Sequence, residues 1–256
     1  MSEPLDSKER FSNRVGDYVR YRPRYPAGVI DILAAEAGLR PGAVVADIGS
    51  GTGFSAELFL RNGNSVIGVE PNRQMRLAAE QLLASYAGFR SVDAAAEATT
   101  LADGSVDFVV AGQAFHWFDR AAARREFGRI LRAGGKVALM WNVRRLDSTP
   151  FLRAYDALLS RLGTDYLTAR CEGMEDDTIG EFFGGPYLKR SIYNFQDFDF
   201  TGLRGRLLSS SYVPAAGEPN HDEILAGLRE AFDAHAVEGR VRLEYDTQIY
   251  FGPLGG

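Results

Sequence analysis

The chain has a single cysteine, Cys171, so it can form no internal disulfide and no cysteine-built zinc or iron–sulfur centre. Its three histidines, His116, His221 and His235, are too scattered to make a metal-ligand set. Lysine is nearly missing: Lys8, Lys136 and Lys189 are the only three among 29 basic residues, a bias that nucleotide composition accounts for. No run approaches the roughly 18 apolar residues of a membrane helix. The first ten residues lack the apolar core of a signal peptide. The expected setting is a reducing cytoplasm, with no membrane partner. A net charge of −5 argues against a surface built to wrap nucleic acid. One stretch departs from that balance. Lys8, Arg10, Arg14, Arg20, Arg22 and Arg24 stand against Glu9 and Asp17, a local net of +4.

What is present is an ordinary globular composition: 256 residues, 45% hydrophobic and 25% charged, enough for one large domain or one domain with additions. From 43 to 141 short β-branched runs alternate with helical patterns. Strands are expected at Ala43–Ile48, Ser65–Glu70, Phe89–Ala94, Val106–Ala111 and Lys136–Trp141. Helices are expected at Phe54–Asn62, Arg73–Tyr86 and Ala121–Ala133, the last ended by Gly134-Gly135. That order implies βαβ units and a parallel sheet with right-handed crossovers. Beyond 145 the pattern changes: a helix at Phe151–Leu162, an extended aromatic stretch at Tyr187–Phe200, a short helix at Leu203–Tyr212, an amphipathic helix at Asp222–His235 and a strand at Arg240–Phe251. The expected division is a cap segment at 1–30, a ligand-binding core at 31–145, and a C-terminal part, 146–256, that completes the sheet and carries a lid at about 146–220.

The chemistry concentrates at Asp47-Ile-Gly49-Ser50-Gly51-Thr-Gly53, between the first strand and the first core helix. In an open parallel sheet, ligands bind beyond the carboxyl ends of the strands, and glycines there admit positive φ and close approach of a ligand to the backbone. Glu70 ends the second strand, where a carboxylate can accept hydrogen bonds from two ribose hydroxyls. The dinucleotide fingerprint needs a third glycine at position 54, which is Phe54. The loop therefore suits a nucleoside without a pyrophosphate, such as S-adenosyl-L-methionine.

With DIGSGTG at 47–53, VEPN at 69–72, AEATTLADGSVDFV at 96–109 and AFHWFD at 114–119, the sequence resembles the class I S-adenosylmethionine-dependent methyltransferases with a methyltransferase type 11 domain. YVRYRPRYP at 18–26, AFHWF and YDTQIYFGPL at 245–254 resemble bacterial and fungal relatives of trans-aconitate methyltransferase. The resemblance implies an α/β Rossmann-like sheet of about seven strands, mostly parallel with the last antiparallel, helices on both faces and a helical lid. It implies S-adenosyl-L-methionine as cofactor, S-adenosyl-L-homocysteine as product and a small-molecule acceptor.

Carried over by position, Asp47, Gly49, Ser50, Gly51 and Gly53 hold the methionine part, Glu70 the ribose, and Pro71 and Asn72 flank the adenine. Ala96, Glu97 and Ala98 meet the adenine edge, with Asp93 competing for the role of Glu97, and Gln113 passes beside the methionine amine. Tyr18, Tyr21 and Arg22 belong to an N-terminal helix, also containing Tyr25, that folds over the cofactor. His116 is the candidate for acceptor contact or general base, and Trp117 and Tyr212 for acceptor contact. The proline that relatives often carry at 133 is Ala133 here, which alters a turn only. A monomer or homodimer is expected. Methylation of nucleic acid or protein, non-catalytic cofactor binding and nicotinamide-dependent oxidoreduction are the alternatives.

Overall fold

The computed structural model describes residues 15–164, 166 and 176–255, without the side chains of Val15, Asp17 and Tyr18. A seven-stranded sheet runs in the order β3-β2-β1-β4-β5-β7-β6. Its strands are β1 (Val44–Ile48), β2 (Ser65–Val69), β3 (Phe89–Val92), β4 (Val106–Gly112), β5 (Leu131–Arg144), β6 (Leu188–Phe198) and β7 (Val241–Gly252). The first five pair in parallel, and β7 runs antiparallel to both β5 and β6. The expected mixed sheet, with its last strand antiparallel, is therefore the observed one.

The helices are α1 (Val15–Tyr21), α2 (Gly28–Ala37), α3 (Phe54–Arg61), α4 (Arg73–Leu82), α5 (Arg120–Ile130), α6 (Pro150–Leu162), α7 (Asp176–Phe183), α8 (Phe200–Leu208) and α9 (His221–His235). Successive strand residues turn to opposite faces, so the sheet feeds two cores. Ala46, Ile48, Val109 and Leu139 pack with Phe127 of α5 and Phe182 of α7. Val45, Val66, Val110 and Met140 pack on the other face with Leu33 of α2 and Phe59 of α3. A third core joins α6, α8 and α9 to Leu243 and Tyr245 of β7.

Several expected boundaries move, for local reasons. Arg22 precedes Pro23, a position that disfavours helix, so α1 stops at Tyr21 and leaves Arg22 and Tyr25 in an extended connection. Helix α5 ends at Ile130 rather than Ala133. Gly134 adopts φ 80°, and the register between β4 and β5 jumps from Val106↔Leu131 to Phe108↔Lys136, so a bulge takes up residues 132–135. Helix α8 begins earlier than expected, at Phe200, because the Asp199 side chain accepts a hydrogen bond from the Gly202 N–H (2.7 Å) and caps it. Helices α2 and α7 stand where no helix was expected. Leu188–Phe198, inside the stretch expected as lid, is the edge strand of the sheet itself.

Candidate functional site

Strand order reverses at β1, which lies between β2 and β4, and the carboxyl ends of these strands bring Gly49, Glu70 and Gly112 to one edge. A cavity of about 380 Å³ opens there. The glycine loop forms its floor. Gly49, Gly51 and Gly53 all have positive φ (65°, 54° and 87°), a region that L side chains rarely adopt. Their surroundings differ. A Cβ on Gly49 would sit 2.6 Å from the Ala114 Cβ, and one on Gly53 2.7 Å from the Leu83 Cδ1. One on Gly51 would meet nothing within 4 Å. Gly49 and Gly53 are thus fixed by packing, whereas Gly51 borders open space on the cavity wall.

Glu70 is buried and bridges two backbone donors: it accepts from the Gly51 N–H (2.9 Å) and the Asn72 N–H (2.8 Å). Burial raises its pKa above the usual carboxylate range, although these two bonds oppose the rise. Asn72 in turn caps α4 by accepting from the Gln74 and Met75 N–H groups. Thr52, another wall residue, has a buried hydroxyl with no partner among the described residues. Gln113, where the chain leaves β4, holds φ 55°, unusual for a non-glycine residue, and its N–H donates to the Met140 carbonyl (2.9 Å).

Of the residues expected around the cofactor, Arg22, Gly49, Ser50, Gly51, Glu70, Pro71, Asn72, Ala96, Glu97 and Gln113 line the cavity, as do His116, Trp117 and Tyr212. Four do not. Asp47 is fully buried beneath the loop and accepts from the Ser55 hydroxyl (2.7 Å), while its second oxygen has no partner among the described residues. Burial pushes its pKa up to about 7, against the Ser55 bond. Gly53 faces Leu83, which follows α4. Ala98 closes a small bridge with Ala95 behind the wall. Tyr21 turns away and packs where a Cβ on Gly205 of α8 would stand. Tyr18 has its side chain outside the described residues. Between the two acids considered for the adenine edge, Glu97 lines the cavity and accepts from the Asp119 N–H (2.9 Å). Asp93 is largely exposed, pairs with Arg76 (2.6 Å) and is not part of the lining.

His116 sits on a single 3-10 turn, Phe115–Trp117, with its ring 4.8 Å from that of Trp117. Burial, aided by the positive charge of Arg120, lowers its pKa to about 4, and its Nδ1 has no partner among the described residues. The imidazole is therefore neutral at physiological pH and a weak base.

Beyond His116 the cavity continues into a region that sequence reasoning missed, between β5, β7 and α8. Arg144, Tyr166, Arg206 and Tyr245 line it. They lie far apart in the chain and carry no local motif, so only the sheet order brings them together. A cover crosses both parts. Arg22 donates to the Ser209 carbonyl (2.9 Å), and Gln196 donates to the Tyr21 carbonyl (3.1 Å), tying the N-terminal segment to α8 and β6. A Cβ on Gly112 would lie 2.6 Å from the Tyr25 hydroxyl, so that ring rests on the end of β4. Arg24 is bound to Glu57. At least Arg22 and Arg24 of the basic stretch are thus engaged internally. No helix among the described residues is long and apolar enough to cross a membrane, and no cluster of three or more His, Cys, Asp or Glu among them could hold a metal.

Comparison with known proteins agrees with this geometry. The model of the methyltransferase domain family matches residues 46–139, the stretch that runs from β1 into β5. An uncharacterised methyltransferase of Schizosaccharomyces pombe is 31% identical over 207 residues, covering 78% of this chain and 72% of that protein. A methyltransferase-like protein of the same yeast is 32% identical over 166 residues, covering 64% of this chain and 63% of its own length. The chain thus spans somewhat less than two thirds of the latter relative. Among solved structures, an Anaeromyxobacter dehalogenans protein assigned to the type II methyltransferases superposes with a TM-score of 0.67 at 26% identity, covering 91% of this chain and 98% of that one. The lining fits the cofactor of that family: an open Gly51 for close backbone approach, two carboxylates for hydroxyl and amino donors, and a Thr52 hydroxyl with no partner among the described residues. The chain belongs to the class I S-adenosylmethionine-dependent methyltransferases, and S-adenosyl-L-methionine is its cofactor.

Proposed function

We propose that the protein transfers a methyl group from S-adenosyl-L-methionine to a small-molecule acceptor. The observation that carries this reading is one partly covered cavity that joins the glycine loop and Glu70 at one end to Arg144, Arg206 and Tyr212 at the other. An acceptor bound there lies inside the fold, whereas a nucleic acid or protein strand needs an open groove. Internal engagement of Arg22 and Arg24 favours the same reading.

The cofactor supplies an electrophilic methyl on a sulfonium. In this reading Glu70 accepts from the ribose hydroxyls, Glu97 from the adenine amino group, and Pro71 and Asn72 flank the ring. Arg22 orients the amino-acid end, with Gln113 beside its amine, and the open backbone at Gly51 allows that end to approach closely. Asp47, Gly53 and Tyr21 act by shaping that wall rather than by touching it. The cover from Arg22 to Tyr25 and from Ser211 to Tyr212 excludes water. This favours a reaction in which an anionic nucleophile and a cationic sulfonium neutralise one another. Alignment of the acceptor against the methyl supplies much of the rest, on the order of 7–11 kcal/mol in well-oriented cases. His116, neutral and weakly basic, orients the acceptor by accepting a hydrogen bond and is poorly suited to taking its proton. Trp117 and Tyr212 wall the acceptor side.

Calorimetry with S-adenosyl-L-homocysteine tests the donor half, and no binding at millimolar ligand would sink it. Incubation with methyl-labelled cofactor and a small-molecule extract, against RNA and protein pools, tests the acceptor half. Label entering only the macromolecular pools would overturn the small-molecule assignment.

A further inference from the structure

We infer that the acceptor carries an oxyanion, gripped between the Arg144 and Arg206 guanidinium groups; this deepens, and rests on, the small-molecule reading above. Both arginines line the cavity and both are almost wholly buried, from different elements: Arg144 is the last residue of β5 and Arg206 lies in α8. Arg206 is 4% exposed, and its side chain donates only to neutral oxygens, the Ser210 hydroxyl (3.0 Å) and the Tyr245 hydroxyl (3.4 Å). No carboxylate lies within ion-pair distance of it among the described residues. Arg144 donates to the Tyr166 hydroxyl (2.5 Å), its guanidinium over the Tyr155 and Tyr166 rings. Its one carboxylate neighbour among the described residues, Asp156 at 3.8 Å, also accepts from the Tyr166 hydroxyl. Arg144 Nε is buried with no partner among the described residues.

Among the described residues, one carboxylate, Asp156 beside Arg144, thus stands against two buried guanidinium groups, with Arg22 adding positive charge from the cover. A buried charge is costly unless it is paired, and a guanidinium offers a planar fork that matches carboxylate and phosphate oxygens. Among the described residues, the other titratable groups facing the two arginines are the tyrosines 155, 166, 212 and 245. Tyr212 reports the field. Burial alone would raise its pKa, but Arg144, Arg206 and Arg22 outweigh burial and draw it well below the ordinary value. A site that favours a phenolate favours other oxyanions. The cavity therefore carries opposite charges at its two ends, carboxylates Glu70 and Glu97 at the cofactor end and guanidinium groups at the acceptor end.

The test is calorimetry on the full chain saturated with S-adenosyl-L-homocysteine. Succinate, glutarate and inorganic phosphate are the anionic probes and succinamide is the neutral control. At least one anion should bind ten times or more tighter than succinamide. Preference for the dicarboxylates over phosphate, or the reverse, tells whether the oxyanion is a carboxylate or a phosphoryl group. Arg206→Gln should lose at least tenfold for that anion while keeping S-adenosyl-L-homocysteine affinity, and Arg144→Gln serves in its place if the first variant does not fold. If all three anions bind no tighter than succinamide to protein that binds S-adenosyl-L-homocysteine, the inference is wrong. Failure to bind S-adenosyl-L-homocysteine itself overturns the methyl-donor assignment instead.

Discussion

Replacing Glu70 by glutamine separates the structural from the ligand-binding work of one carboxylate. In the free protein Glu70 holds the amides of Gly51 and Asn72, and these bonds persist when the cofactor enters, so they largely cancel from the binding equilibrium. What does not cancel is the contact with the ribose hydroxyls. A hydrogen bond to a charged acceptor contributes about 1.5–3 kcal/mol, which corresponds to roughly 10- to 150-fold in Kd. Glutamine keeps one acceptor oxygen but turns an NH2 toward the other donor, so the bond to one partner is lost and the charge with it. Free-protein stability should change less, because burial already disfavours the ionised acid and glutamine removes that penalty. The expected outcome is thus a weakening of S-adenosyl-L-homocysteine binding by one to two orders of magnitude, read by calorimetry, with native circular dichroism. A Glu70→Gln protein that binds within threefold of the parent would refute the ribose assignment.

Other predictions follow from the same residues. Asp47 has a folded-state pKa of about 7, above its value in the unfolded chain, so the folded protein binds the extra proton between those values. Stability of the ligand-free protein should therefore fall as pH rises from about 4 through about 7 and level off above that. Asp47→Asn should flatten that slope in thermal unfolding; an unchanged slope would rule Asp47 out as its source. Gly51→Ala, whose methyl meets open space, should cost about 1–2 kcal/mol of stability from backbone strain and weaken the cofactor further. Gly49→Ala adds a clash with Ala114 and should lower the unfolding temperature more. The opposite ranking would contradict the packing described. Tyr212 should titrate well below 10, seen as tyrosinate absorbance that is absent in Tyr212→Phe and shifted upward in Arg206→Gln. If the low-pH tyrosinate signal survives in Tyr212→Phe, its assignment is wrong.

How much of this was readable from the chain depends on whether the signal was local. The parallel half was legible because its strands are β-branched runs buried on both faces, and because three glycines and an acid at fixed offsets need only one turn to come together. The boundaries that moved answer to a single neighbour each: Pro23 ends α1, and Gly134 sits in the bulge that enters β5. Which acid would face the cavity, Glu97 or Asp93, could not be settled by spacing. It depends on Arg76, which pairs with Asp93 from the preceding helix, α4. Tyr21 and Asp47 were assigned to the lining by position, yet their side chains turn into the packing around Gly205 and Ser55. The arginine end was invisible for another reason. Arg144, Arg206 and Tyr245 meet only because β7 inserts between β5 and β6, a long-range event with no periodicity to announce it.

That insertion has an evolutionary corollary. β6 and β7 form one antiparallel ladder, yet the chain between them, residues 199–240, makes an excursion that carries Arg206, Ser211 and Tyr212 before returning. The ladder closes the sheet whatever the excursion contains, and the donor pocket hangs from strands on the opposite side of β4. New recognition chemistry could therefore be grafted by exchanging that excursion alone, leaving the nucleoside cradle and the folding of the parallel half untouched.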